Sequence, residues 1–209
     1  MYLTSAPGSR LRYELQFALM LVFSALAALL FTQATCAEES GQTTEASLWK
    51  LLQKPDHFAM LRHALAPGIG DPADFTLGDC STQRNLSEAG RSQARRIGER
   101  FRANGIEQAD VYTSQWCRCR DTAELLGLGP VKELPALNSF FRNFERETRQ
   151  TAELAGWLEK RDPDKPLVLV THQVNITAMT GVFPDSGELV IVRRDRDGGF
   201  SVSGTINTD

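Results

Sequence analysis

The sequence predicts an α/β fold, a three-layer α/β/α sandwich around a mostly parallel central sheet. Three observations carry that expectation. Apolar runs of strand length alternate along the chain with amphipathic segments of helix length, the pattern of βα units. One run, Pro166-Leu-Val-Leu-Val-Thr-His172, is continuous, β-branched and uncharged, as a central strand buried on both faces should be. Near the C-terminus, 188–192 and 200–206 flank Asp197-Gly-Gly199, a hairpin signal that adds an antiparallel edge.

The elements follow in order. His57-Phe-Ala-Met-Leu-Arg62 is a short apolar strand, closed by Arg62-His63 and the loop-forming Pro67-Gly-Ile-Gly-Asp-Pro72. A helix is expected over 86–103, where Leu86, Gly90, Ala94, Ile97 and Phe101 share a stripe, Ser87 can cap and Gly105 can stop it. Residues 109–114 form a second strand, leading into a helix through Thr122-Ala-Glu-Leu-Leu126 that ends at Gly127. A third strand is expected over 131–137, confined to an edge by Pro135. Helices are expected over 147–160 and 175–180.

Residues 1–37 have a different character. Arg10 and Arg12 precede an apolar run over 17–31 broken only by Ser24, and Thr32-Gln-Ala-Thr-Cys-Ala37 supplies small residues before the polar Glu38. A basic start, a short apolar centre and a small-residue exit make a signal-peptide pattern, with an N-terminal membrane anchor as the alternative. Cys36 lacks the aliphatic residue three positions earlier that a lipidation signal wants, because Gln33 stands there. Residues 38–50 read as a polar lead-in and 51–209 as the domain. An exported chain is placed in the periplasm, or at the inner membrane facing it.

Composition narrows the classes. Hydrophobic residues at 42% and charged residues at 23% of 209 supply one ordinary core and exclude a disordered or multispan chain. A net charge of −3 argues against nucleic acid as a partner. Cys80, Cys117 and Cys119 follow the signal segment, an odd number. In an oxidising compartment Cys80 is expected to pair with Cys117 or Cys119, leaving one buried thiol. Cys117-Arg-Cys119 lacks the spacing of a metal site.

The chemistry is expected at the carboxyl ends of strands, where open α/β sheets collect ligands. His63 closes the first strand beside Arg62, His172 closes the central one, and Arg118 follows the second. Two guanidiniums and two imidazoles on one rim suit a phosphate dianion. The positive surroundings keep His63 neutral, so that it can act as a nucleophile towards phosphorus. Each piece alone has a plainer reading. A lone strand-end histidine is usually structural, and Arg118 could pair with Asp121 or Glu124 across a helical turn. His57, at the far end of its strand, is read as structural, whereas Trp116, Phe140 and Phe141 are placed near the rim.

Four motifs appear in order: Leu61-Arg62-His63-Ala64, Leu86-Ser87-Glu-Ala-Gly90, Ser114-Gln-Trp-Cys-Arg118-Cys-Arg-Asp-Thr122 and Val168-Leu-Val-Thr-His172. This series resembles the histidine phosphatase (phosphoglycerate mutase-like) superfamily over roughly residues 55–185. The resemblance implies a phosphoglycerate mutase-like fold, with His63 as the phosphorylated nucleophile. Arg62, Arg118 and His172 would complete the phosphate pocket, and no metal or cofactor would be needed. Ser87 and Gly90 would be structural. Ala64 departs from the Gly usual after the nucleophile. No acid stands in Leu134-Pro-Ala-Leu137-Asn138-Ser139, where many members carry a proton-donating Glu. Gln173 replaces the Asp that another branch places after its second His. The proton donor is left among Glu133, Asp71 and Asp74.

These observations lead to a metal-independent phosphomonoester hydrolase acting through phosphohistidine. The expected partner is a phosphosugar or an envelope glycolipid phosphomonoester, by analogy with exported members of the family. A non-catalytic phosphoryl-ligand binding protein is the competing class, with a phosphomutase behind it.

Overall fold

The computed structural model describes residues 44–161 and 164–208. The segment read as a signal or anchor, 1–37, lies outside the described residues.

The chain runs α1 (Glu45–Leu51), β1 (His57–Arg62), α2 (Glu88–Ala103), β2 (Asp110–Thr113), α3 (Cys117–Leu126), β3 (Val131–Glu133), α4 (Glu147–Glu159), β4 (Leu167–Thr171), α5 (Gln173–Thr180), β5 (Leu189–Arg194) and β6 (Phe200–Ile206). The six strands form one sheet in the order β3-β2-β4-β1-β5-β6. Neighbours from β3 to β1 pair in parallel, while β5 is antiparallel to both β1 and β6. The fold class and the antiparallel C-terminal edge are as the sequence predicts.

Alternation along the strands divides the core between the two faces of the sheet. Ala59 and Leu61 of β1, with Val168 and Val170 of β4, face Leu48, Trp49, Ile97, Phe101 and Leu126 from α1, α2 and α3. Phe58 and Met60, with Leu167 and Leu169, face Leu154, Leu158 and Ile176 from α4 and α5. All five residues of β4 are buried, as its uncharged run requires. Each large side chain withdrawn from water here contributes about 1.5–3 kcal/mol.

Three boundaries differ from expectation. Residues 44–50 of the polar lead-in belong to the fold: Thr44 caps α1, whose Leu48 and Trp49 are buried. The third strand ends at Glu133, because Pro135 opens a 3-10 turn over Pro135–Leu137 instead of extending the ladder. The helix after the central strand begins at Gln173, so His172 is its N-cap residue and the strand passes directly into the helix.

The Leu-Ser-x-x-Gly motif has the structural role expected of it. The Ser87 hydroxyl accepts a hydrogen bond from the Gly90 amide at 3.0 Å, capping α2. A Cβ at Gly90 would stand 2.0 Å from the Leu65 carbonyl oxygen. Glycine therefore lets α2 lie directly against the segment that leaves His63.

Candidate active site

The register of the two central strands creates the site. Arg62 of β1 lies opposite Thr171 of β4, and the His63 amide donates to the Thr171 carbonyl at 3.0 Å. The chain leaves both strands at the same edge, which places the His63 and His172 rings 5.5 Å apart, edge to face. Arg118 enters from the first turn of α3, at the end of the adjoining β2. All four residues expected at the site meet there, lining a cleft of about 650 Å³.

The hydrogen bonds assign the imidazole tautomers. His63 Nδ1 lies 2.8 Å from the Ala64 carbonyl and donates to it, which leaves the Nε2 lone pair facing Arg118 Nε at 3.2 Å. Arg118 Nη2 donates to His172 Nδ1 at 3.3 Å, so His172 Nε2 carries the proton and gives it to Ser114 Oγ at 2.8 Å. Ser114 passes a further bond to Asn138 Oδ1 at 3.3 Å. Burial, reinforced by the Arg118 charge, holds both histidines well below the ordinary 6.5. Both rings are neutral at pH 7.

Two further residues join the cluster. Arg84 lines the cleft and donates Nε to the Gly70 carbonyl at 2.8 Å, while Nη1 donates to Ala66. Burial and the neighbouring Arg118 push its guanidinium down to about 10. Asp71 receives Arg118 Nη1 at 2.7 Å and Nη2 at 3.2 Å, together with the Trp116 indole at 3.1 Å and the Arg84 amide at 3.1 Å. Burial alone would raise the Asp71 carboxyl, but the Arg118 bonds and charge outweigh it and hold the group below the ordinary carboxylate value.

The three acids considered as proton donors therefore separate. Among the described residues Asp71 is the one carboxylate lining the cleft. Asp74 does not line it, and Glu133 turns to Gln115 and Arg120. The helical-neighbour reading of Arg118 fails, since Asp121 pairs with Arg91 and Arg118 with Asp71. Trp116 and Phe141 line the cleft, whereas Phe140 is buried in the core. His57 starts β1 at the opposite end and bonds Asp56, as a structural residue would. Among the described residues no group of three or more His, Cys, Asp or Glu side chains could hold a metal ion.

Cys80 and Cys117 form a disulfide, and Cys119 is the buried thiol left over. Burial pushes that thiol up to about 12, so it stays protonated beside His172. The disulfide joins the turn that leads into Arg84 to the first residue of α3, next to Arg118. The Cys117 amide also donates to Gln83 Oε1 at 2.9 Å. Replacing both cysteines by Ser should therefore lower stability by about 2–4 kcal/mol. Turnover should fall as well, because Arg84 and Arg118, which both line the cleft, lose their common brace. Denaturant midpoints and rate constants of the double variant check this.

The histidines also set a pH dependence of stability. Folded, they stay neutral; unfolded, they take up protons below about 6.5. Stability is thus fully present above that pH and declines as pH falls, by up to about 1.4 kcal/mol per pH unit for each histidine. The loss continues down to the depressed folded values. Denaturant midpoints between pH 7.5 and 5 should show this slope, and His172→Gln should reduce it.

The comparisons bear on the fold and on the middle of the chain. The sequence model described as "Histidine phosphatase superfamily (branch 1)" matches residues 78–154. No curated protein sequence matches the chain. Among solved structures, the protein histidine phosphatase SixA complexed with tungstate superposes with a TM-score of 0.51 at 14% identity, covering 73% of this chain and 97% of its own. Phosphoserine phosphatase from Entamoeba histolytica, in complex with 3-phosphoglyceric acid, gives 0.53 at 15% identity, covering 73% and 98%. The chain carries the fold of the histidine phosphatase superfamily, and its residues 78–154 carry the sequence pattern of that superfamily's branch 1.

Proposed function

We propose that this protein is a metal-independent phosphomonoester hydrolase that works through a phosphohistidine at His63. The observation that carries the reading is a neutral His63 whose Nε2 lone pair is turned by its Ala64 bond towards a cleft lined by Arg62, Arg84 and Arg118. His63 Nε2 attacks phosphorus, the N–P bond forms and the P–O bond to the alcohol breaks. The guanidiniums take up charge on the equatorial oxygens, a role a metal ion has in kinases. His172 is held by Arg118 on one side and Ser114 on the other, so its position is set before substrate arrives.

Asp71 gives a proton to the departing alkoxide. In the free enzyme the carboxylate is ionised against Arg118. A bound phosphoryl dianion competes for that guanidinium and adds a negative neighbour, and both changes raise the Asp71 pKa so that the carboxylate takes up a proton from solvent as substrate binds. Water then attacks the phosphohistidine, the P–N bond breaks back to neutral His63, the water proton passes to the Asp71 carboxylate, and as orthophosphate leaves Asp71 returns that proton to solvent.

The substrate class we favour is a phosphosugar or envelope phosphoryl compound met outside the cytoplasm. Supporting this location are the signal-like residues 1–37 and the Cys80–Cys117 disulfide, which suits an oxidising compartment. The test is a panel of phosphomonoesters headed by para-nitrophenyl phosphate, assayed with and without EDTA. Hydrolysis that survives chelation is the expected result. Orthophosphate binding with no hydrolysis anywhere in the panel would leave a phosphoryl-ligand binding protein instead.

A further inference from the structure

On the reading above, the phosphoryl group is taken at the floor of the cleft, where His63, Arg118 and His172 are buried. The upper part of its volume is then left for the alcohol portion of the ester. That part has large apolar walls: Ile69, Phe75, Trp116, Phe141, Val174 and Phe183 all line the cleft. Phe75 and Trp116 stack, with ring centroids 5.0 Å apart. Ile69 is 85% exposed and Phe183 72%, the two highest values among the large hydrophobic residues described. Phe141 is exposed as well, and its ring meets that of the exposed Phe144 edge to face at 6.3 Å. Exposed apolar residues scattered singly over a surface are ordinary. Gathered around one opening, they mark a place that something apolar covers.

Both leading positions are fixed by the phosphate pocket itself. Ile69 stands between Gly68 and Gly70, whose φ values of 97° and 71° turn the chain along a path that glycine takes without strain. The Gly70 carbonyl accepts the 2.8 Å bond from Arg84, and the next residue, Asp71, holds Arg118. A Cβ at Gly70 would stand 3.4 Å from Cε1 of Phe141, so the Phe141 ring lies against the same turn. Phe183 precedes Pro184, whose carbonyl accepts a bond from Arg62 Nη1 at 2.8 Å. The arginines that surround His63 thus also position the apolar opening above it.

Polar residues share the opening, and the Arg142 guanidinium lies over the Phe141 ring at 5.7 Å. An alcohol portion that is polar throughout would leave Ile69 and Phe183 in water. One that carries an apolar chain removes both from it, which is favourable in proportion to the area covered.

We infer that the physiological substrate is an amphiphilic phosphomonoester, whose alcohol portion lays an alkyl or acyl chain against Ile69 and Phe183 while His63 takes the phosphoryl group. This inference rests on the phosphatase reading above and narrows it, favouring an envelope phosphoryl amphiphile over a free phosphosugar. Ile69 and Phe183 become specificity-determining residues.

The test uses the full chain with butyl, hexyl and octyl phosphate, each kept below the concentration at which it forms micelles. Their leaving alcohols are equally poor, so the chemistry is constant and only the apolar contact varies. Full burial would multiply kcat/KM by up to ~4-fold per methylene, and a chain lying on one wall should reach about half of that factor. From butyl to octyl phosphate, kcat/KM should therefore rise by about tenfold or more. In Ile69→Ser/Phe183→Ser the rise should shrink to about threefold or less. Both side chains are exposed, so the unfolding midpoint of this variant should match the wild type. In Leu77→Ser/Val202→Ser, which removes exposed apolar residues that do not line the cleft, the rise should persist. With para-nitrophenyl phosphate hydrolysed, three results would overturn the inference and leave the phosphatase reading intact: no dependence on chain length, no hydrolysis of any alkyl ester, or a dependence that survives loss of Ile69 and Phe183. No hydrolysis of para-nitrophenyl phosphate or of any alkyl ester would instead remove the reading on which the inference rests.

Discussion

His63→Ala should lose phosphatase turnover by at least about 10⁴-fold, equivalent to about 5.4 kcal/mol in the activation barrier at 1.36 kcal/mol per tenfold. The loss is large because, on the proposed mechanism, the variant lacks the nitrogen that accepts the phosphoryl group. Arg118 and His172 remain, so orthophosphate should still bind. The fold should survive, since the vacated space opens to the cleft and water can reach the Arg118 Nε that loses its acceptor. Steady-state rates with para-nitrophenyl phosphate, alongside the unfolding midpoint, check both halves. A folded variant with wild-type turnover would remove His63 from the chemistry.

The second large effect concerns Asp71. As the proposed proton donor, it matters most when the leaving group is a poor one. Asp71→Asn should lower turnover of an alkyl phosphate by about 10²–10⁴-fold, and that of para-nitrophenyl phosphate by less than about tenfold. If Asp71 only held Arg118 in place, through the bonds at 2.7 and 3.2 Å, both substrates would lose equally. The ratio between the two losses therefore separates proton donation from positioning. For the alkyl substrate, wild-type kcat/KM should fall as pH rises past the donor's pKa, and that descending limb should flatten in the variant, because the titrating donor is gone.

Much of this site was legible because its parts lie where periodicity is unambiguous. The uncharged run ending at His172 could only be a central strand, and the apolar run ending at Arg62-His63 had the length of another. A parallel sheet with both carboxyl ends on one side then brings the histidines together. The α2 helix was legible through Ser87 and Gly105, its cap and its stop. Arg84 and Asp71 were harder to see. Arg84 sits three residues before Ser87, just ahead of a motif whose role is packing, and nothing in its spacing marks it as lining the cleft. Asp71 lies between Gly70 and Pro72 in a loop, where an acid usually faces water. Only the tertiary approach of that loop to Arg118 gives it a role.

The misplaced boundaries have equally local causes. Residues 44–50 contain two large apolar residues, Leu48 and Trp49, among polar ones, too few for a stripe to stand out. Both are nonetheless buried against the sheet. Beyond Glu133, Leu134 and Leu137 keep an apolar texture, but Pro135 cannot donate to a ladder and the chain turns.

The central claim is that the phosphoryl group passes through His63, and covalent trapping tests it most directly. Full-length protein should be mixed with ³²P-labelled para-nitrophenyl phosphate and denatured in alkali during turnover. It should then carry label that is stable to base, labile to acid and located in the peptide containing His63. Label on a serine or aspartate peptide, or hydrolysis with no covalent label under conditions where a known phosphohistidine enzyme is trapped, would contradict the account.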